Sequence, residues 1–376
     1  MQLLKTQTSS IELHYLIKEF DILKDAKVDQ IYQLNKMDYI FQFHKTGVGK
    51  LRLRIAPPGF TYLTAYKPEV QTPKGFCMTL RKHLANSRLR SIRQLGFERI
   101  IELEFETKEE KRYLYIELFG KGNIIFCKGD LTIIQAVVMH KWKDRTVRPG
   151  LKYEYPKKEY NLLELSKQQL KNLLASSAKN VVQLLAVELG LGGLYAEEIL
   201  ALADIDKNKK QLDDKEVTSL NNQLQELKKK VIKPAIIEKE DGIIKDIVPF
   251  SLESYKDFKA KQAESYNNAF DQMLTQEEKE AEIVETTSKY EEKLNKVKKM
   301  IEMQEKSVQK LEKTEKDSTA AGELMYSNYQ IVDEVLVELR KAREKYSWQE
   351  IKAKLKKHKI IKDILEKEGK IILELT

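Results

Sequence analysis

Apolar or small side chains return in a four-three alternation at Tyr290, Leu294, Val297, Ile301, Val308, Leu311, Gly322, Met325, Tyr329, Val332, Leu336, Leu339 and Tyr346. Gln304, Glu315 and Ser318 fill intervening slots, so the stripe weakens midway while its register holds. A seven-residue period kept over about eight repeats is the pattern of a helix that hides one apolar seam in a coiled coil. A solitary solvated helix would not keep Leu and Val on one line. The pattern predicts one long helical arm over 277–347, on the order of 100 Å at 1.5 Å per residue. It leaves open whether the seam packs on a downstream helix or, by self-association, on a second copy. At Ser347-Trp348 the stripe ends, and Trp348, Ile351, Leu355, Ile360, Ile364 and Leu365 begin a small further unit over 348–376. Residues 370–375 alternate like a strand whose partners lie past Thr376, which reads as part of a longer protein.

Toward the N-terminus the period changes. Ile11, Tyr15, Leu16, Phe20 and Leu23 fall at helical spacing behind a capping Ser9 or Ser10. Apolar alternation then predicts short strands at 31–34, 39–43, 51–55 and 60–63, broken by Gly47, Gly49, Pro57, Pro58 and Gly59. A helix is predicted over 75–89, with Arg81 and Lys82 on its outer face. A meander follows at 99–106, 112–119, 123–127 and 131–139, with Gly120-Lys121-Gly122 and Lys128-Gly129-Asp130 as turns. Residues 1–155 thus read as one α+β domain on an antiparallel sheet. From Pro156 to about residue 230 the pattern is helical, with helices at 170–175, 180–189 and 195–203. Gly190-Leu191-Gly192-Gly193 interrupts it as a helix-hairpin-helix would, leaving Gly190, Gly192 and Gly193 to offer backbone N–H groups to a phosphate. A tight helix-helix turn with ordinary caps is the plainer alternative. Residues 231–276 carry an alternating hairpin about Asp241-Gly242 and a connecting segment.

The charge is as uneven as the patterning. Residues 44–99 hold twelve Lys or Arg against only Glu69 and Glu98, enough to account for the chain's net +9. An acid-poor basic block repels itself unless a polyanion meets it, which points to nucleic acid. Arg81, Lys82, Arg88, Arg90 and Arg93 are the candidate phosphate contacts, and Lys45, Lys50, Arg52, Arg54, Lys67 and Lys74 extend the block. Other chemistry finds little support. The five histidines never fall at ligand spacing with each other or with Cys77 and Cys127, so neither a metal nor a cofactor is expected. Lys45-Thr46-Gly47-Val48-Gly49-Lys50-Leu51 lacks the span and the hydroxyl of a phosphate loop. No nucleophile elbow occurs. Two cysteines and no apolar run of bilayer length predict a cytoplasmic protein with no membrane partner.

Several strings carry a resemblance. Ser9-Ser10-Ile11-Glu12-Leu13, Gly75-Phe76-Cys77-Met78-Thr79-Leu80-Arg81-Lys82-His83-Leu84, Gln94-Leu95-Gly96-Phe97-Glu98-Arg99-Ile100-Ile101 and Glu117-Leu118-Phe119-Gly120-Lys121-Gly122-Asn123-Ile124-Ile125 are similar to the NFACT-N domain. That domain belongs to ribosome quality control factors, the RqcH and nuclear export mediator factor family, often described as fibronectin-binding protein A-like. The resemblance extends over the glycine segment, the heptad arm and the start of a middle domain at Trp348, without an NFACT-R counterpart. It implies a non-enzymatic factor that binds an obstructed large ribosomal subunit with peptidyl-tRNA, contacts tRNA and rRNA, and in many members recruits alanyl-tRNA for tailing. It implies tRNA-handling roles for Glu12, Glu98 and Arg99, with Glu where the family has Asp at both acidic positions, one methylene further out. NFACT-N also resembles the N-terminal domain of formamidopyrimidine-DNA glycosylases, so a nucleic-acid-processing protein of that kind is the alternative. Met1-Gln2-Leu3 supplies neither their N-terminal Pro nor the adjacent Glu. The fibronectin-binding label suggests an adhesin as a third reading.

Overall fold

The computed structural model describes residues 5–66, 73, 75–142, 145–156, 158–240, 242–355, 358–365 and 368–375, and only the backbone of 276–289. Met1, Gln2, Leu3, Lys67, Glu69, Lys74, Asp241 and Thr376, named above, lie outside the described residues. The chain forms two compact units, 1–280 and 281–376.

The first unit opens on α1 (Ser10–Glu19). Ser9 caps it: the Glu12 N–H donates to Ser9 Oγ and the Ser9 N–H donates to Glu12 Oε2 at 2.9 Å. Ile11, Leu13, Tyr15 and Leu16 are buried. Nine antiparallel strands follow: β1 (Lys27–Asn35), β2 (Asp38–Lys45), β3 (Gly49–Ala56), β4 (Phe60–Leu63), β5 (Arg88–Gln94), β6 (Ile100–Glu106), β7 (Lys111–Glu117), β8 (Asn123–Lys128) and β9 (Ile133–Ala136). Their order is β4-β3-β2-β1-β5-β6-β7-β8-β9, two meanders joined where Lys27 of β1 faces Arg88 of β5. Phe41 of β2 stacks on Phe105 of β6 with ring centres 6.4 Å apart, although two strands separate them. Flat strands about 4.8 Å apart could not do this, so the sheet curls around its core.

One predicted element changes identity. The helix expected over 75–89 is α2 (Gly75–Leu84) and stops there, because Asn86 adopts φ 61° and the Ser87 hydroxyl donates to the Leu84 carbonyl. Asn tolerates that left-handed conformation better than other non-glycine residues. Arg88, Arg90 and Arg93 consequently lie on strand β5, not about a helix. On the opposite face of β6–β8 a second core forms from Ile100, Tyr115, Ile125 and Cys127, closed by Tyr153 stacked on Tyr115 at 4.0 Å. Two short strands, β10 (His140–Lys141) and β11 (Thr146–Val147), make a separate hairpin beyond it.

The helical segment contains α3 (Lys167–Ser176), a short α4 (Val181–Gln183) that widens into a π turn at Leu184–Glu188, α5 (Gly193–Leu202) and α6 (Asp214–Lys229). The predicted hairpin is β12 (Ala235–Glu238) with β13 (Ile244–Val248), and β14 (Lys259–Gln262) adds a third strand, in the order β13-β12-β14. α7 (Tyr266–Ser327) begins earlier than the heptads suggested, in what was expected to be a connecting segment. Its cap comes from far away in sequence: the Tyr266 and Asn267 N–H groups donate to the Glu19 carboxylate at 2.8 and 2.7 Å. Tyr266, Ala269 and Phe270 are fully buried in the main core.

In the second unit α7 gives way at Asn328 to α8 (Tyr329–Lys345), so the arm expected as one helix is interrupted. The Asn328 side chain bonds the Leu324 carbonyl at 3.0 Å, competing with the helical ladder. Along the heptad stripe, Tyr290, Leu294, Val297, Ile301, Val308, Leu311, Met325 and Tyr329 are exposed. Val335 and Leu339 of α8 instead bury against Ile351 of α9 (Trp348–Lys354) and against Ile361 and Ile364 of β15 (Ile361–Leu365). The strand predicted at 370–375 is β16 (Lys370–Leu373). Its partner is β15, within the chain, not past Thr376 as expected, because Gly369 at φ 61° turns the two into a hairpin.

His14 on α1 lies between the Tyr15 and Phe97 rings, at 5.4 and 6.4 Å. Burial, helped by the Lys18 charge, lowers its pKa to about 4. A depressed folded pKa stabilises the fold above the unfolded value near 6.5, and that contribution is lost as pH falls toward 4. Urea midpoints measured from pH 7 to pH 4 are expected to fall for the native chain and to fall less steeply for His14→Gln; parallel curves would contradict this account.

Candidate nucleic-acid cleft

The start of α1, the turn between β5 and β6, and the glycine turn before α5 converge on a cleft of about 740 Å³. Glu98 and Arg99 sit on the β5–β6 turn, which closes through Leu95 N–H to the Ile100 carbonyl and Glu98 N–H to the Leu95 carbonyl. The Gln94 amide staples this turn to α1, donating to the Ser10 and Glu98 carbonyls at 2.9 Å each. Across the cleft the π turn ends at Gly190, φ 73°, where a Cβ would lie 2.9 Å from Lys158 Nζ and 3.3 Å from Ser10 Oγ. Gly192 then takes φ 78°, ψ 164°, a region essentially restricted to glycine, and launches α5 without a side-chain cap or an acid in its first turn. The positive end of the α5 dipole therefore lines the cleft beside Gly193 and Leu194.

The floor is an ion network. Lys5 Nζ donates to Glu12 Oε1 at 2.7 Å, Asp246 Oδ1 at 2.6 Å and the Ile247 carbonyl at 2.8 Å. Tyr195 donates to Glu12 Oε1 at 3.0 Å, and Tyr255 donates to Asp246 Oδ2 at 2.8 Å. Burial pulls the Lys5 ammonium down, but Glu12 and Asp246 outweigh it and leave its pKa above the usual lysine value. At the rim Lys158 Nζ lies 3.7 Å from Glu98 Oε1 and donates to the Val187 carbonyl at 3.0 Å. Burial raises the Glu98 carboxyl, against the pull of Lys158 and Arg99, and burial lowers the Arg99 guanidinium, against the pull of Glu98. Arg99 also donates to the Gln7 side-chain oxygen. With Glu12 and Asp246 turned onto Lys5, the groups left facing the opening are Glu98, Arg99, Lys158 and the start of α5.

Glu12, Glu98, Arg99, Gly190, Gly192 and Gly193 thus meet in one place, while Arg81, Lys82, Arg88, Arg90 and Arg93 do not line it. Arg81 Nε donates to the Ile31 carbonyl at 2.8 Å, and Arg88 donates to the Asp25 carbonyl at 3.0 Å. Arg90 pairs with Asp25 and Glu106, and Arg93 pairs with Glu102 at 2.6 Å; Lys82 is exposed. The acid-poverty of residues 44–99 does not survive folding around β5: Glu102 and Glu106 stand on β6, directly across from it, and Asp25 reaches it from the turn before β1. Arg54 is likewise buried against Asp38 at 2.6 Å. Lys5, Lys158, Tyr195 and Asp246 were not singled out from sequence, since no local pattern marks a lysine that folding carries to a distant glycine turn. Among the described residues no three His, Cys, Asp or Glu side chains are grouped to hold a metal, and no helix is long and apolar enough to cross a membrane.

The fold is similar to that of two bacterial proteins of known structure. The fibrinogen binding protein from Staphylococcus aureus superposes with a TM-score of 0.58 at 21% identity, over 70% of this chain and 97% of that one. The N-terminal part of the fibronectin/fibrinogen-binding protein from Streptococcus suis gives 0.57 at 20% identity, over 72% and 100%. The family model for the NFACT N-terminal and middle domains matches residues 9–363, and the chain belongs to that family. The archaeal Rqc2 homolog aRqcH of Methanocaldococcus jannaschii is 30% identical over 99% of this chain and 58% of its own length. The human ribosome quality control complex subunit NEMF is 23% identical over 93% of this chain and 35% of its own, and the Rqc2 homolog RqcH of Bacillus subtilis is 28% identical over 48% and 34%. The chain thus spans less than two thirds of each of these relatives.

Two substitutions test how the cleft is held. Gly192→Ala is expected to cost about 1–3 kcal/mol through its backbone conformation alone, because a Cβ there meets nothing closer than Ser9 Cβ at 3.8 Å. Lys5→Met strands two buried carboxylates and is expected to cost roughly 3–5 kcal/mol. Both are read from chemical denaturation, and a native-like midpoint for either would show that the residue does not hold the cleft in this way.

Proposed function

We propose that this chain is the tRNA-engaging part of a ribosome quality control factor, binding obstructed large subunits with peptidyl-tRNA. The observation that carries the reading is the convergence of Glu98 and Arg99 with Gly190, Gly192 and Gly193, from segments far apart in sequence, onto one cleft that also holds Lys158. A guanidinium, an ammonium and an uncapped helix start together suit a phosphate of the RNA backbone, while the Glu98 carboxylate accepts from a ribose or base donor. Glu12, its oxygens taken by Lys5, Tyr195 and Ser9, acts from below by fixing the floor. In this reading residues 1–155 are the NFACT-N domain, with a glycosylase-like sheet, and 156–230 are a helix-hairpin-helix domain. Residues 231–276 join that domain to the arm. Residues 277–347 are the coiled-coil arm, whose stripe, exposed at Tyr290, Leu294, Val297, Ile301, Val308, Leu311, Met325 and Tyr329, is a seam awaiting a second helix, and 348–376 opens a middle domain. Recruitment of alanyl-tRNA belongs to the same proposal, and any peptide extension is catalysed by the ribosome. Arg81, Lys82, Arg88, Arg90 and Arg93 serve as outer phosphate contacts, weakened by the partners they already have.

The test is tRNA affinity across a salt series. Arg99→Ala with Lys158→Ala is expected to weaken binding about tenfold or more and to lower the salt slope by about one to two. Arg90→Ala with Arg93→Ala, which removes cations already paired with acids, is expected to do less. Equal effects, or none from the cleft pair, would reject the cleft as the tRNA site.

A further inference from the structure

The β10–β11 hairpin carries an aromatic side chain whose exposure nothing in the fold requires. Trp142 remains 40% exposed just past β10, where its backbone N–H donates to the Arg145 carbonyl at 2.8 Å. Its ring is nonetheless fixed in place. The Arg145 guanidinium lies 4.6 Å from the centre of the indole and 5.6 Å from the ring of Phe119. Arg145 is itself locked, donating to both oxygens of Glu117 at 2.6 and 2.9 Å and to the Glu154 carbonyl at 3.2 Å. Tyr153 completes the lock with a hydroxyl 3.0 Å from Glu117 Oε1. His140 meets the indole edge-on at 4.4 Å.

Two features give this stack a direction. Phe119, at its inner end, is part of the cleft wall. Lys141 and Arg148 are exposed on the hairpin, while Glu117 is buried and spent on Arg145. An exposed indole backed by a guanidinium that a buried carboxylate holds, on a hairpin that also carries exposed cations, matches the chemistry of an unstacked nucleotide, whose base stacks while its phosphates pair. A protein ligand would use the apolar surface but would leave the cations without a role.

We propose that Trp142 is a stacking platform for a single-stranded nucleotide of the bound RNA, continuing the cleft outward through Phe119 and Arg145, with Lys141 and Arg148 on the adjoining phosphates. The proposal rests on the RNA-binding reading above and adds a second contact to it.

The chain has two tryptophans, so Trp348→Phe leaves Trp142 as the only indole. In that background a short oligouridine is expected to quench the fluorescence saturably, and heparin, an anion without bases, is not. Trp142→Ala is expected to lose roughly fivefold or more in oligouridine affinity, and Trp142→Phe to keep most of it. Unchanged affinity in Trp142→Ala, or equal quenching by heparin, would overturn the platform. If Arg99→Ala with Lys158→Ala abolishes tRNA binding while Trp142→Ala leaves both ligands untouched, the cleft stands and the platform falls. If the native chain binds neither RNA, both fall.

Discussion

A buried ammonium ion holds the first unit together. Lys5 is 8% exposed and touches two carboxylates and a backbone carbonyl contributed by α1 and β13. Taking these charges out of water is costly, and mutual attraction offsets the cost only when every donor and acceptor is satisfied. The tyrosines complete the set. Tyr195 brings α5 to Glu12, Tyr255 reaches Asp246, and Tyr266 bonds the Ile247 carbonyl at 3.4 Å from the first turn of α7. Helix α1, the helical segment, the three-stranded sheet and the base of α7 are thus tied to one charge, which lies at the floor of the cleft.

Helix α1 joins this node to the rest through an acid near each end. Glu12, in the first turn, caps its own helix through Ser9 and accepts from Lys5 and Tyr195. Glu19, in the last turn, caps α7 instead. A carboxylate at a helix C-terminus is ordinarily unfavourable, and here the N-terminal N–H groups of α7 repay it. The same α7 start is held against β4 and its edge, where Asn267 Oδ1 accepts from the Leu63 N–H at 2.6 Å and Asp271 from the Thr64 hydroxyl at 2.6 Å.

Patterns set by neighbours in sequence were legible beforehand. The alternation around Phe41, Leu53, Leu103 and Leu114 marked the strands, and Gly120 and Gly122 marked a turn, because pleat and turn chemistry act over a few residues. The heptads marked the helix of the arm but not where it starts, since the Glu19 cap comes from α1. They also did not mark the interruption at Asn328, where a single side-chain bond to the Leu324 carbonyl suffices. The boundary of α2 was misplaced for a similar reason. Leu89 fits a helical stripe, yet Asn86 and Ser87 stop the helix and its leucine is buried from a strand.

The site shows the sharper division. Gly190 and Gly192 were conspicuous as glycines, and the structure gives each a reason: Gly190 leaves room for Lys158 Nζ, and Gly192 holds a backbone conformation closed to other residues. Charge reads differently along the chain and across the sheet. Counting along the chain joins Arg90 and Arg93 to the basic block and assigns Glu102 and Glu106 to the next segment, but antiparallel pairing sets Arg93 opposite Glu102 and brings Arg90 against Glu106. A strand pair therefore converts a surplus read along the chain into near balance across it. The cations that do line the cleft, Arg99 and Lys158, come from different parts of the chain, and folding brings both to it, Lys158 beside Gly190. Local charge density along a strand thus overstates the unpaired charge that the strand presents. The useful quantity is the charge left over after neighbouring strands have paired.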